Sequence, residues 1–115
     1  MAIVNITVTN DADFYRVFQY VTTSSLAPVD ITGASMEMML RRHAKDEAAV
    51  LRLGSDTGEI EIIDPPNGLF TVRIPQETLE RLGLGDFDHS NIMTTADYKR
   101  RIWVGVFTNN PGPTR

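Results

Sequence analysis

The segment Asp64-Pro65-Pro66-Asn67-Gly68 leaves its stretch of chain little conformational choice. Two prolines hold φ near about −65° and remove two N–H donors, while Asn-Gly tolerates positive φ, so neither a helix nor a central strand can run through it. Directly after it, Phe70, Val72 and Ile74 alternate with Thr71 and Arg73, the two-residue period of a strand with one buried face. The pattern predicts a hairpin around Asn67-Gly68.

The same period recurs along the chain. Val4, Ile6 and Val8 alternate with Asn5 and Thr7, predicting a first strand over residues 3 to 8. Phe14 to Val21 is aromatic and β-branched and reads as a second strand with apolar groups on both faces. Residues 24 to 33 hold Pro28 and Gly33 without helical period and read as a loop between sheets. Ser35 to Arg41 places Met36, Met38 and Leu40 inward and Glu37, Met39 and Arg41 outward. Val50 to Leu53 and Ile60 to Ile63 flank Gly54-Ser55-Asp56-Thr57-Gly58, a hairpin or a corner. The period changes only at Pro75 to Leu82, where an early proline, Glu77 and Glu80, the Leu79/Leu82 spacing and Gly83 predict one short helix near residues 75–82. A helix of two turns is not stable alone, so Leu79 and Leu82 are expected to plug the end of a sandwich. Phe87 to Thr95 has no decisive pattern. Tyr98 to Phe107 reads as the last long strand, with Ile102, Val104 and Val106 on one face and Trp103 and Phe107 on the other.

About eight short strands, regular turn signals and one helix predict a mainly β fold: an antiparallel two-sheet sandwich, immunoglobulin-like in shape. The 115 residues suffice for a single domain, 1–115, with a short N-terminal arm (1–3) and a C-terminal tail (109–115) lacking core-forming residues. Hydrophobic residues are 42% and charged residues 23% of the chain, enough for one core and no sign of disorder. A formal net charge of -4 argues against a dedicated nucleic-acid binder, which needs a basic stripe to displace counterions. With no cysteine there is no disulfide framework and no thiolate metal site. No apolar run approaches the roughly 20 residues of a membrane helix, and the N-terminus lacks a basic signal-peptide start, so a soluble protein made in a cytoplasm is expected.

Motifs that carry chemistry are hard to build from these residues. His43 and His89 each have acidic sequence neighbours but no metal-ligand spacing between them. Asp56, Glu59, Glu61 and Asp64 are rich in oxygen, yet their spacing is not that of a calcium loop. Gly83-Leu84-Gly85 follows a helix instead of opening one, so it reads as a helix stop and not a phosphate loop. No serine lies in a Gly-x-Ser-x-Gly elbow. No catalytic residue, cofactor site or metal site is assigned, and no enzyme is expected. Lys99-Arg100-Arg101, with Tyr98 and Trp103, is the one basic and aromatic cluster. Arg far outnumbers Lys, and Arg is favoured in protein interfaces.

One stretch of order is familiar. Pro28-Val29-Asp30-Ile31-Thr32-Gly33-Ala34, an alternating strand ending in Arg41-Arg42, then Val50-Leu51-Arg52-Leu53, Ile60-Glu61-Ile62-Ile63-Asp64 and Asn67-Gly68-Leu69-Phe70-Thr71-Val72-Arg73-Ile74-Pro75 resembles small β-sandwich proteins of tailed bacteriophages and prophages. The helix with Thr78 and the ending Arg101-Ile102-Trp103-Val104-Gly105-Val106-Phe107 to Pro113-Thr114-Arg115 fit the same pattern, which is similar in layout to the N-terminal domain of phage baseplate upper proteins. Asp30-Ile31 replaces the usual Asp-Leu, and Phe87-Asp88-His89-Ser90 replaces a Tyr-Asp-Leu. The resemblance implies a non-enzymatic virion structural protein, a tail, baseplate or neck component in several copies, whose partners are other virion proteins and copies of itself. It also implies localisation to the virion after synthesis in the host bacterial cytoplasm, without membrane or small-molecule partners.

The residues left over from a two-sheet core give the candidate partner interface: Trp103 and Phe107 on the outer face of the last strand, Tyr98 and Arg101 beside them, and the irregular ends, with Pro111, Thr114 and Arg115. The alternative is a free-standing carbohydrate- or ligand-binding module with Tyr98, Trp103 and Phe87 as a stacking platform, which requires those rings exposed and coplanar.

Overall fold

The computed structural model describes residues 2–114; Met1 and Arg115 lie outside the described residues. Nine strands and one α-helix follow in order: β1 Ala2–Ile3, β2 Ile6–Thr9, β3 Phe14–Gln19, β4 Ser35–Arg41, β5 Leu51–Gly54, β6 Ile60–Asp64, β7 Leu69–Ile74, α1 Gln76–Leu82, β8 Gly85–Thr94 and β9 Lys99–Asn110. Two sheets face each other. The larger runs β1-β9-β8-β4-β5, with β2 also paired to β9, and the smaller runs β3-β7-β6. The fold is mainly β and immunoglobulin-like. Pairing is antiparallel except at the N-terminus, where β1 and β2 both lie parallel to β9.

The alternating strands bury the residues their period selects. Met36, Met38 and Leu40 of β4 and Phe70, Val72 and Ile74 of β7 all enter the core. Asp64, Pro65, Pro66 and Asn67 form the β6–β7 reversal as a single 3₁₀ turn, closed by Gly68 at φ 68°. A Cβ on Gly68 would lie 2.6 Å from the Tyr20 carbonyl oxygen, so both the backbone angle and the space demand glycine. The Gly54–Gly58 segment is a corner and not a hairpin, because β5 pairs with β4 and β6 with β7, and the chain crosses there between sheets. Of the stretch Phe87 to Thr95, unpatterned in sequence, residues 87 to 94 belong to the ten-residue strand β8 between β4 and β9, and Thr95 lies just beyond it.

Helix α1 is held at one end by a loop residue, Asp13, and at the other by a strand residue, Asn109. Pro75 is its N-cap and supplies no side-chain acceptor; Asp13 Oδ1 instead accepts from the Gln76 N–H at 2.7 Å. At the other end, buried Asn109 donates through Nδ2 to the carbonyls of Leu79 (2.8 Å) and Gly83 (2.9 Å). Leu79 is fully buried.

This corrects the expectation of a free C-terminal tail. Residues 108–110 continue β9, Asn109 is 1% exposed, and Gly112 N–H donates to buried Asn10 Oδ1 at 2.9 Å. The segment carries no hydrophobic side chains, but its amides satisfy helix and loop carbonyls, which is as strong a reason for burial as an apolar side chain. Asn109→Leu leaves two helix carbonyls without their donor and is expected to cost about 1–3 kcal/mol in urea unfolding.

At the other chain end, Gly105 lets the N-terminal segment approach β9. A Cβ there would collide with the Val4 carbonyl oxygen. Gly105→Ala should destabilise the fold by about 1–3 kcal/mol, and amide exchange of Val4 and Val106 should rise first.

Candidate interaction surfaces

The residues expected on an outer aromatic face are in the core. Trp103 is 4% and Phe107 0% exposed. The reason is a bulge: Asn91 pairs with Trp103 and Ile92 with Arg101, so Ile102 is the extra residue of β9. Before the bulge Ile102 points inward; after it, Trp103, Phe107 and Asn109 do. The period-2 reading across Tyr98–Phe107 assumed an uninterrupted strand. Burying two large aromatic rings in place of Val104 and Val106 removes far more apolar area from water.

Trp103 sits among rings, with centroids 4.7 Å from Phe18 and 5.8 Å from Phe70. Its Nε1–H donates to His89 Nδ1 at 3.3 Å, and His89 Nε2 lies 2.9 Å from the Val4 carbonyl oxygen. Only the neutral Nε2–H tautomer satisfies both contacts. Burial holds the His89 pKa below its ordinary 6.5, against the opposing pull of the Val4 hydrogen bond and the nearby Asp88 charge. His89 is therefore a structural clasp between β8, β9 and the N-terminal segment. In the unfolded chain His89 binds a proton more readily than in the fold, so stability present above about pH 6.5 is lost as pH falls below it. Urea midpoints should drop between about pH 7 and about pH 5, and His89→Gln, which keeps a donor for Val4 without titrating, should flatten that part of the decline.

Phe87 is 1% exposed, so Phe87 and Trp103 do not form a sugar-stacking platform with Tyr98. Tyr98 is 37% exposed, with the Arg100 guanidinium 4.4 Å from its ring centroid. Arg101 is exposed in the bulge region. Pro111 and Thr114 are exposed, and Thr114 N–H approaches Asp11 Oδ2 at 3.4 Å. Arg115 lies outside the described residues. The structure thus keeps Tyr98, Arg101, Pro111 and Thr114 at the surface and withdraws Trp103 and Phe107 from it.

Two grooves were not anticipated. The outer face of the larger sheet holds a shallow groove of about 600 Å³, where Met39, Ile92, Val104 and Val106 form an apolar strip flanked by Glu37 and Arg41. Met39 on the outer face of its strand was the sequence signal for it. A second groove, about 690 Å³, opens between the edges of the two sheets, with Phe18, Phe70 and Trp103 on its floor and Arg100 and Tyr20 among its lining. On the smaller sheet, Tyr15 (62%) and Val17 (48%) stand exposed.

The polar clusters have local partners. His43 lies in a loop 3.6 Å from Asp46, and Asp56 pairs with Arg52 at 3.2 Å. Asp64 accepts from Asn67, and Glu59 from Thr57. Among the described residues no three of His, Asp or Glu are placed to hold a metal ion, and no helix is long and apolar enough to cross a membrane.

Comparison with protein-family models gave no match, and comparison with curated proteins gave none either. Solved structures do match. The N-terminal domain of phage TP901-1 ORF48 superposes with a TM-score of 0.56 at 11% identity, covering 95% of this chain and 85% of that one. The NK cell receptor NKp44 gives 0.50 at 16% identity, covering 97% and 100%, and murine CRIg gives 0.46 at 12% identity, covering 94% and 92%. At these identities the likeness with ORF48 and NKp44 concerns the fold, and the fold this chain shares with them is a two-sheet immunoglobulin-like sandwich.

Proposed function

We propose that this chain is a non-enzymatic structural component of a tailed-bacteriophage or prophage particle, an adaptor of the tail, baseplate or neck that acts through protein–protein contacts. The observation that supports the reading most is the end-to-end likeness to a domain of a phage protein, 95% of this chain at a TM-score of 0.56. The order of turn and strand motifs from Pro28 onward, similar to that of small phage sandwich proteins, points the same way. In this reading the partners are other virion proteins and copies of the same chain.

The contact surface is the outer face of the larger sheet, where the Met39, Ile92, Val104 and Val106 strip lies between charged rims. Exposed apolar strips with polar margins are the usual form of such contacts. Arg101 lines that groove, and Tyr98, Pro111 and Thr114 are further exposed residues of the proposed interface.

Purified particles from the source of the sequence should contain this chain in stoichiometric amounts by mass spectrometry. Val106, 38% exposed, offers the sharper test. Val106→Glu should leave stability within about 0.5 kcal/mol while lowering incorporation into particles at least tenfold. Absence of the chain from particles, or full incorporation of the variant, defeats the corresponding part of the proposal.

A further inference from the structure

The smaller sheet ends in an open strand. Among the described residues, β3 pairs with β7 on one side and with no strand on the other. Its register fixes which main-chain groups face outward. Tyr20 N–H donates to Gly68 O, and Arg73 N–H donates to Glu59 O on the far side of β7. Even-numbered residues of β3 therefore bond to β7, because they face Val72 and its even-numbered neighbours. The N–H and C=O groups of Tyr15, Val17 and Gln19 point away from the sheet, along its free edge. The Thr22–Ala27 turn does not cover that edge, since Val29 N–H returns to Tyr20 O on the side of Gly68.

The side chains on the free edge are unusually permissive. Tyr15, Val17 and Gln19 on the outer face are exposed and uncharged. The strand contains no proline and no bulge, two common devices that stop edges from pairing. The one charge is Arg16, whose guanidinium lies 5.4 Å from the Phe14 ring and 5.8 Å from the Phe18 ring. A charge facing inward from an edge is a third such device; Arg16 is exposed beside these two rings, so the edge admits only a partner that leaves its guanidinium next to an aromatic ring and not opposite another cation.

We infer that the free edge of β3 pairs antiparallel with β3 of a second copy of this chain, joining two three-stranded sheets into one across a two-fold axis. A two-fold axis normal to the sheet keeps faces matched, so only residues of the same parity can lie opposite each other. Centring on Arg16 would set two guanidinium groups directly opposite, a repulsive pair. Centring on Val17 sets Val17 against Val17, Tyr15 against Gln19, and Arg16 against Phe18 of the partner. The two Arg16 side chains are then diagonal neighbours and not directly opposite, and each keeps an aromatic ring beside it. All three outward residues are then in bonded positions, giving about six main-chain hydrogen bonds. The outer faces join into one patch through Tyr15 and Val17. A different protein's strand could supply the backbone bonds but not this reciprocal register, which is why a second copy is the better occupant.

The inference does not depend on incorporation into a particle, because it concerns the purified chain. Light scattering at increasing concentration should show the mass rising from 12.8 kDa to twice that value. V17K and V17E, at an exposed site, should each stay monomeric with unchanged circular dichroism, and mixing them should restore a dimer by placing opposite charges across the axis. In the native chain the amides of Tyr15, Val17 and Gln19 should become protected from hydrogen exchange as concentration rises, a readout that survives if a variant fails to fold. A native chain that stays monomeric to millimolar concentration overturns the inference. So does a dimer that V17K leaves intact, or one in which those three amides exchange at the same rate at every concentration.

Discussion

The main chain of Val4 lies directly against Gly105, and this contact decides how the rest of the sandwich is arranged. Val4 N–H donates to Val104 O, its carbonyl accepts from His89, and Asn5 Oδ1 accepts from Val106 N–H. These bonds commit the N-terminal segment to the larger sheet, parallel to β9, where it extends a sheet that already holds β8, β4 and β5. The smaller sheet is thereby left with three strands, and among the described residues β3 has one open edge. One close approach, permitted by one missing Cβ, distributes the edges of the whole fold.

The same region sets the core. The Ile102 bulge rotates β9 so that Trp103 joins Phe18 and Phe70 between the sheets, and His89 satisfies the indole N–H that would otherwise be buried without a partner. A tryptophan inside a small sandwich requires such an acceptor, and a neutral histidine that passes its own proton to a main-chain carbonyl provides it. The cost of this arrangement is sensitivity to acid, because a protonated ring cannot accept from Trp103.

For function, the consequence is that Trp103, Phe107 and Phe87 do not make the surface, which keeps Tyr15 and Tyr98 as its exposed aromatic residues. What remains outside is an aliphatic strip on one sheet and an open, nearly uncharged strand on the other. Both are features suited to contact with protein. The two surfaces lie on opposite sheets, so a chain paired through β3 would still present the larger sheet to another partner.

Much of the fold was legible because it rests on local rules. Pro65-Pro66-Asn67-Gly68 dictates a reversal through φ alone, the alternation in residues 35 to 41 and 69 to 74 names their buried faces, and a proline, two leucines and a glycine delimit the helix. The candidate site was legible only in part: Met39 read as outward on its strand and Phe14 to Val21 as apolar on both faces, whereas Trp103 and Phe107 were assigned to the wrong face. A bulge shifts side-chain phase by one residue, and nothing within β9 itself marks it; the shift arises from the pairing with β8, more than ten positions away in sequence. Asn109 likewise looks like tail composition until the carbonyls of Leu79 and Gly83 are brought beside it. The sequence by itself determined most of the strands and turns and the helix, with β8 the exception, because φ preferences and two-residue periods act between neighbours. Only the tertiary structure decided which strands pair, which edge stays open and which face of β9 is buried, because those follow from contacts between residues far apart along the chain.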